Sequence, residues 1–157
     1  MVHPPRTKKP GPRSWARRCA AQAIYEWQLS GREPGLITSQ FLADHDLGQA
    51  DPDYFRELAH EVPARAAIID AALAPFLDWP PEQVDPVERA ILRLSGYELM
   101  EHPELASRIV INEAVELAKI FGAEQGHRFI NGVLDQLARA IRPLEFDAPP
   151  QTSAESV

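Results

Sequence analysis

The side chains that could do chemistry fall in two places. Near the start, Arg13, Arg17 and Arg18 bring three guanidinium groups within six positions, and no acid occurs among the first eighteen residues. Far along the chain, Phe121-Gly122-Ala123-Glu124-Gln125-Gly126-His127-Arg128-Phe129 sets an amide, a cation and two aromatic rings around a glycine-punctuated turn. Guanidinium forks and free helix-start amides suit a phosphate backbone, and aromatic faces suit splayed bases. That chemistry is binding. Each feature also has a plainer reading: the arginines pair with acids elsewhere in the fold, and both phenylalanines are core.

Catalytic chemistry is not indicated. His3, His45, His60, His102 and His127 lack the spacing of a metal site, so no metal and no cofactor is expected. Phosphate-binding glycine loops and nucleophile elbows are absent, and acid pairs such as Asp135 with Arg139 fit ordinary i,i+4 contacts. Cys19, the single cysteine, reads as a small packing residue and excludes an internal disulfide, which favours a reduced compartment. No apolar run reaches membrane-spanning length and the basic N-terminus lacks a signal-type apolar segment, so a cytoplasmic protein is expected.

Charge is divided along the chain. The net charge is −7, but residues 1–18 hold Arg6, Lys8, Lys9, Arg13, Arg17 and Arg18, leaving ten basic residues against 23 acidic ones, or −13, for the rest. A basic head on an acidic body is a familiar footprint for nucleic acid, and the acidic body argues against non-specific coating of duplexes. The alternative is a solubilising tail. Residues 1–12 contain four prolines and a glycine and read as a disordered basic arm.

What must position these groups is a set of helices. Ser14 is the expected N-cap of a helix reaching about Ser30, with Ala16, Ala20, Ala23, Ile24 and Trp27 on its buried face. The three arginines then crowd its positive end, where a cation costs roughly 0.3–1 kcal/mol unless an anion arrives. Reversing Arg17 and Arg18 to Glu is accordingly predicted to spare stability and cost RNA affinity.

Leu36 to Ala43 forms a short amphipathic helix, and Asp51-Pro52 opens a longer one that Pro63 kinks or restarts. Asp85-Pro86-Val87-Glu88 is a strong helix start, and Gly96 leaves room for close contact. Ile111, Ala114, Val115 and Ala118 stripe one further helix ended by Gly122, and Ile130, Val133, Leu134, Leu137 and Ile141 stripe the next. Asn131 and Gly132 are assigned to packing, close contact offsetting a mid-helix glycine. The chain of 157 residues is thus predicted to be all-α, about seven helices in one domain over residues 13–143, followed by a disordered tail at 144–157.

A family resemblance fits these pieces. Ile111-Asn112-Glu113-Ala114-Val115-Glu116-Leu117-Ala118-Lys119 followed by Phe129-Ile130-Asn131-Gly132-Val133-Leu134-Asp135 closely resembles the NusB family of bacterial transcription antitermination factors. Ala21-Gln22-Ala23-Ile24-Tyr25, Asp53-Tyr54-Phe55-Arg56-Glu57-Leu58, Arg89-Ala90-Ile91-Leu92-Arg93-Leu94 and Tyr97-Glu98-Leu99 extend the match in the family's order. The resemblance implies a NusB-like helical bundle with an RNA surface formed by the arginine-rich head and the second turn. Transferred to this chain, that surface is Arg13, Arg17, Arg18, Phe121, Gln125, Arg128 and Phe129.

It further implies boxA-like single-stranded RNA as ligand, the ribosomal protein NusE as partner, and read-through by transcribing RNA polymerase with other Nus factors, notably in ribosomal RNA operons. No membrane is involved. Glu88, Arg93 and Glu101, on the polar side of the helix begun by Asp85, are the candidate partner contacts, against the plainer reading of a solvated face. Two departures stand out: the arginine run is broken by Ser14, Trp15 and Ala16, and Gln125 stands where an acid is expected. Trp15 either stacks on a base or anchors its helix. Two other functions fit less of the chain: an accessory RNA-recruiting domain like that of ribosomal RNA methyltransferases, for which a cofactor domain is missing, and a helical protein adaptor, which leaves the basic head unexplained.

Overall fold

Proline and glycine set the helix boundaries throughout the described residues, which are 10–122 and 124–147 of the computed structural model. They form eight α-helices and three single-turn 3-10 segments, with no strand, in two units, Met1–Ala66 and Ala67–Val157. The expected disordered arm lies largely outside the described residues, as does the tail beyond residue 147.

In the first unit, α1 (Pro12–Ser30) begins two residues before the expected cap. Proline at the first helical position needs no donor and already has a helical φ, so Gly11 becomes the N-cap and Ser14 lies inside. Only Arg13 then sits in the first turn, and the dipole conflict inferred for three arginines shrinks to one. Gly31 ends the helix at φ 69°, its N–H donating to the Trp27 carbonyl. Trp27 is half-buried, whereas Ala16, Ala20, Ala23 and Ile24 are buried as expected. These small residues let α1 pack on α3 (Pro52–Ala64), with Phe55, Leu58 and Val62 on the inner face.

Asp51 caps α3 by accepting from the amides of Asp53 and Tyr54 at 3.0 and 3.1 Å. The amide of Asp51 donates to the Pro12 carbonyl, tying the start of α1 to the start of α3. Between them in sequence, α2 (Pro34–Asp44) sets the Phe41 ring 5.2 Å from Phe55.

The second unit is built on α5 (Pro86–Glu101), α6 (Ser107–Ile120) and α7 (His127–Ile141), which pack pairwise, with α4 (Ala66–Leu73) alongside. Asp85 caps α5 through Val87 and Glu88, as its Asp-Pro signal requires. A side-chain carbon added at Gly96 would come within 3.2 Å of Ile69, so this glycine does permit close approach. Gly132 does not: a Cβ there would meet nothing within 4 Å, and Asn131 is exposed, so the packing role assigned to this pair is not observed.

The α6 stripe also turns slightly from the expected one. Val110 and Leu117 are fully interior beside Ala114 and Ala118, while Val115 is half-buried and Ile141, the last residue of the α7 stripe, is exposed.

A final helix, α8 (Pro143–Asp147), occupies the first residues of the region expected to be a disordered tail. Glu145 accepts from the Ser107 amide at 2.8 Å and its hydroxyl at 2.9 Å, capping α6 from outside. Arg142 donates to the carbonyls of Leu99, His102 and Leu105, closing the carbonyl end of α5. Burial pushes the Glu145 carboxyl up, but the Ser107 and Arg142 hydrogen bonds outweigh it and hold it below the usual range. Among the described residues no helix is long and apolar enough to cross a membrane.

Candidate nucleic-acid interface

In the second unit the α6–α7 turn is made by three local events. The α6 ladder closes with Phe121 donating to Leu117, Gly122 takes φ 80°, and Glu124–Gly126 makes a 3-10 turn that enters α7 at His127. Gly122 is therefore the stop the sequence predicts, because side chains rarely adopt that φ.

The turn has a basic flank and an acidic one. On the basic flank an open groove of about 410 Å³ is lined by Lys119, Gln125, His127 and Arg128. Lys119 meets Glu116 at 3.5 Å with both side chains more than half exposed, a pairing that water largely screens. The start of α7 adds amide donors without a side-chain cap. An anion there meets the Lys119 and Arg128 cations at the positive end of the α7 dipole.

On the other flank a groove of about 360 Å³ is bordered by Asp85, Glu88, Phe121, Gly122, Gln125 and Gly126. Burial, then the neighbouring Asp85 charge, pushes the Glu88 carboxyl up. A Cβ at Gly126 would collide with that carboxylate, so glycine lets Glu88 lie against the turn. Gln125 borders both grooves and offers an amide that donates and accepts.

The predicted site residues thus separate. Gln125 and Arg128 share the basic groove; Phe121 joins Gln125 in the other; Phe129 is half-buried in the first turn of α7. Lys119 was missed, although its place in the last turn of α6, just before the turn, is the signal that finds it.

Arg13, Arg17 and Arg18 lie on α1 in the first unit, and they are held in three ways. Arg13 is exposed, with its guanidinium carbon 4.2 Å from the centre of the Tyr54 ring. Arg18 is half-buried and lies 4.5 Å from the Trp15 ring centre. Arg17 is 3% exposed. The expectation that Arg17 could be reversed without loss of stability is therefore corrected: a carboxylate there would be desolvated. The signal is present in sequence, since Arg17, Ala20, Ala21 and Ile24 fall at i, i+3, i+4 and i+7. Cys19 beside them is half-buried, its thiol pushed up by burial and partly drawn back by Arg18.

The partner candidates do not share one solvated face. Arg93 makes a two-point pair with Asp70, at 2.9 and 2.7 Å, with only 13% of its side chain exposed. Asp70, the only charged residue between Arg65 and Asp78, has its match there. Glu88 turns to the α6–α7 turn, and Glu101 is exposed at the end of α5. Among the described residues, no group of three or more His, Cys, Asp and Glu could hold a metal ion.

Fold and turn together define an all-α protein presenting an anion-attracting groove where one helix ends and the next begins. Comparison with known proteins makes this specific: the chain belongs to the NusB family, whose model matches residues 14–139. It is 48% identical over 140 residues to the transcription antitermination protein NusB of Pseudomonas entomophila, covering 89% of this chain and 84% of that one. It is 49% identical over 135 residues to the protein of the same description from Idiomarina loihiensis, covering 86% and 97%. A solved structure of antitermination factors NusB and NusE in complex with double-stranded RNA matches with a TM-score of 0.69 at 26% identity, over 82% of this chain and 96% of that one.

Proposed function

We propose that this chain is a cytoplasmic, non-catalytic, RNA-binding transcription antitermination factor. It binds boxA-like single-stranded RNA together with ribosomal protein NusE and promotes read-through by RNA polymerase with other Nus factors, notably in ribosomal RNA operons. The observation that carries the reading is the basic groove of the α6–α7 turn, with Lys119, Gln125, His127 and Arg128 open to a ligand in a chain whose body is otherwise acidic. Family membership supports RNA as the ligand, and the similarity to a complex of NusB and NusE with double-stranded RNA supports the ribosomal partner.

In this reading Arg13, Arg18 and Arg128 meet phosphates, Phe121, Gln125 and Phe129 meet bases, and Arg17 supports α1 from within. Glu101 meets the protein partner, Arg93 steadies α5 through Asp70, and Glu88 fixes the edge of the turn.

Fluorescence anisotropy with boxA-like, scrambled and double-stranded RNAs, each with and without the ribosomal protein, tests it. The boxA-like single strand is expected to bind most tightly. For about four phosphate contacts, log K falls against log salt with a slope near −3. The ribosomal protein raises RNA affinity, and RNA tightens the protein pair by the same factor. Equal affinity for scrambled RNA, or independent binding of RNA and protein, overturns the reading.

A further inference from the structure

Trp15 and Arg18 stand one turn apart on α1, and the Arg18 guanidinium lies over the indole at 4.5 Å from the ring centre. Both side chains are half-buried. The indole face is therefore occupied by a flat cation, in the place where a nucleobase would stack. Among the described residues Arg18 has no ion pair, so its charge remains available to an anion.

No other arrangement on α1 offers this. Arg13 also lies over a ring, but Tyr54 is 3% exposed and has no face to give. Trp79 is 62% exposed, yet no described cation lies over it.

We propose that Trp15 and Arg18 form a base-stacking site for single-stranded RNA, in which an incoming base replaces the guanidinium on the indole and Arg18 turns to a phosphate of the same strand. The exchange is favoured on both sides. A base stacked on an aromatic ring is held more strongly than a guanidinium at a part-exposed site, and the released guanidinium gains a fully charged partner. Every base has a π-face, so this site adds affinity without choosing sequence. The proposal rests on the RNA-binding reading above and adds to it two residues that act together.

The test uses the full chain carrying Trp27→Phe and Trp79→Phe, so that Trp15 is the only tryptophan. Addition of a short boxA-like RNA is expected to quench its fluorescence in proportion to the bound fraction seen by anisotropy. In the native background, Trp15→Ala should weaken RNA binding by about tenfold while leaving the salt slope unchanged, and Trp15→Phe should restore most of the loss. Arg18→Gln should instead flatten the slope by about 0.7.

Tight RNA binding with no quenching, or a Trp15→Ala chain that remains folded and binds as the parent does, overturns the site while leaving the RNA-binding reading intact. Absence of RNA binding by the parent chain overturns both. If Trp15 serves only to anchor α1, the alanine variant melts lower and the single-tryptophan chain stays unquenched; that result also overturns the proposal.

Discussion

The start of α1 and the α6–α7 turn both gather cations, but the fold treats the two sets differently. On α1 each arginine already has an occupation: Arg13 lies over Tyr54, Arg18 lies over Trp15, and Arg17 is interior. At the turn, Arg128 is exposed, and among the described residues Lys119 has a long, screened pairing with Glu116. A cation in the first place belongs partly to the folded structure, whereas one in the second answers mainly to what arrives from solution. Charge reversal should therefore separate the regions: on α1 it moves stability, most of all at Arg17, as well as binding, and at the turn it moves binding alone.

The largest effect is expected at Arg17. Arg17→Glu replaces a buried guanidinium with a carboxylate of opposite sign, and an uncompensated buried charge costs about 3–5 kcal/mol. For a chain of this size that lowers the melting temperature by about 10 °C. Calorimetry beside Arg18→Glu checks it, because the half-buried neighbour should cost much less. Equal melting of the two variants would erase the distinction on which the comparison rests.

Next in size is Arg128. Arg128→Glu should leave the melting temperature within about a degree of the parent, since exposed substitutions seldom exceed ~0.5 kcal/mol. RNA affinity should fall by about tenfold or more, and the salt slope should flatten by about 0.7 for the lost phosphate contact. Lys119→Glu should behave similarly. Unchanged affinity in both variants would remove the turn from the interface and leave the α1 residues as its only candidates.

The same contrast explains what could be read without a structure. Asp51-Pro52 and Asp85-Pro86 start helices because cap and proline act over three or four residues, and Gly122 stops one for an equally local reason. The start of α1 was misplaced at Ser14 because a serine cap competes there with a proline start, and Pro12 wins. Arg17 is legible in principle, since it continues the stripe of Ala20, Ala21 and Ile24, although its charge points to a surface position.

Other features depend on partners far away in sequence. Arg93 finds Asp70 across twenty-three positions, and Glu145 reaches Ser107 across thirty-eight. No local pattern announces such pairs. The open space at Gly132 was equally hidden, because a mid-helix glycine looks the same in sequence whether or not a neighbour approaches.

The smallest effect sharpens the acidic edge of the turn. Burial and Asp85 raise the Glu88 carboxyl above its ordinary value, so the folded protein holds this proton more tightly than the unfolded chain does. The stabilisation linked to that proton is fully present below the unfolded value of about 4.3 and is lost as pH rises through the folded one. At neutral pH the charged Glu88 therefore works slightly against the fold. Glu88→Gln keeps the shape and removes the charge, so the variant should be more stable than the parent at pH 7, with the difference closing as the pH approaches 4. Paired urea titrations at the two pH values measure this directly. A difference independent of pH would place the effect in the contact with Gly126. A difference of opposite sign would show that the Glu88 carboxylate is favoured in the folded turn, making the acidic edge a stabilising part of the fold.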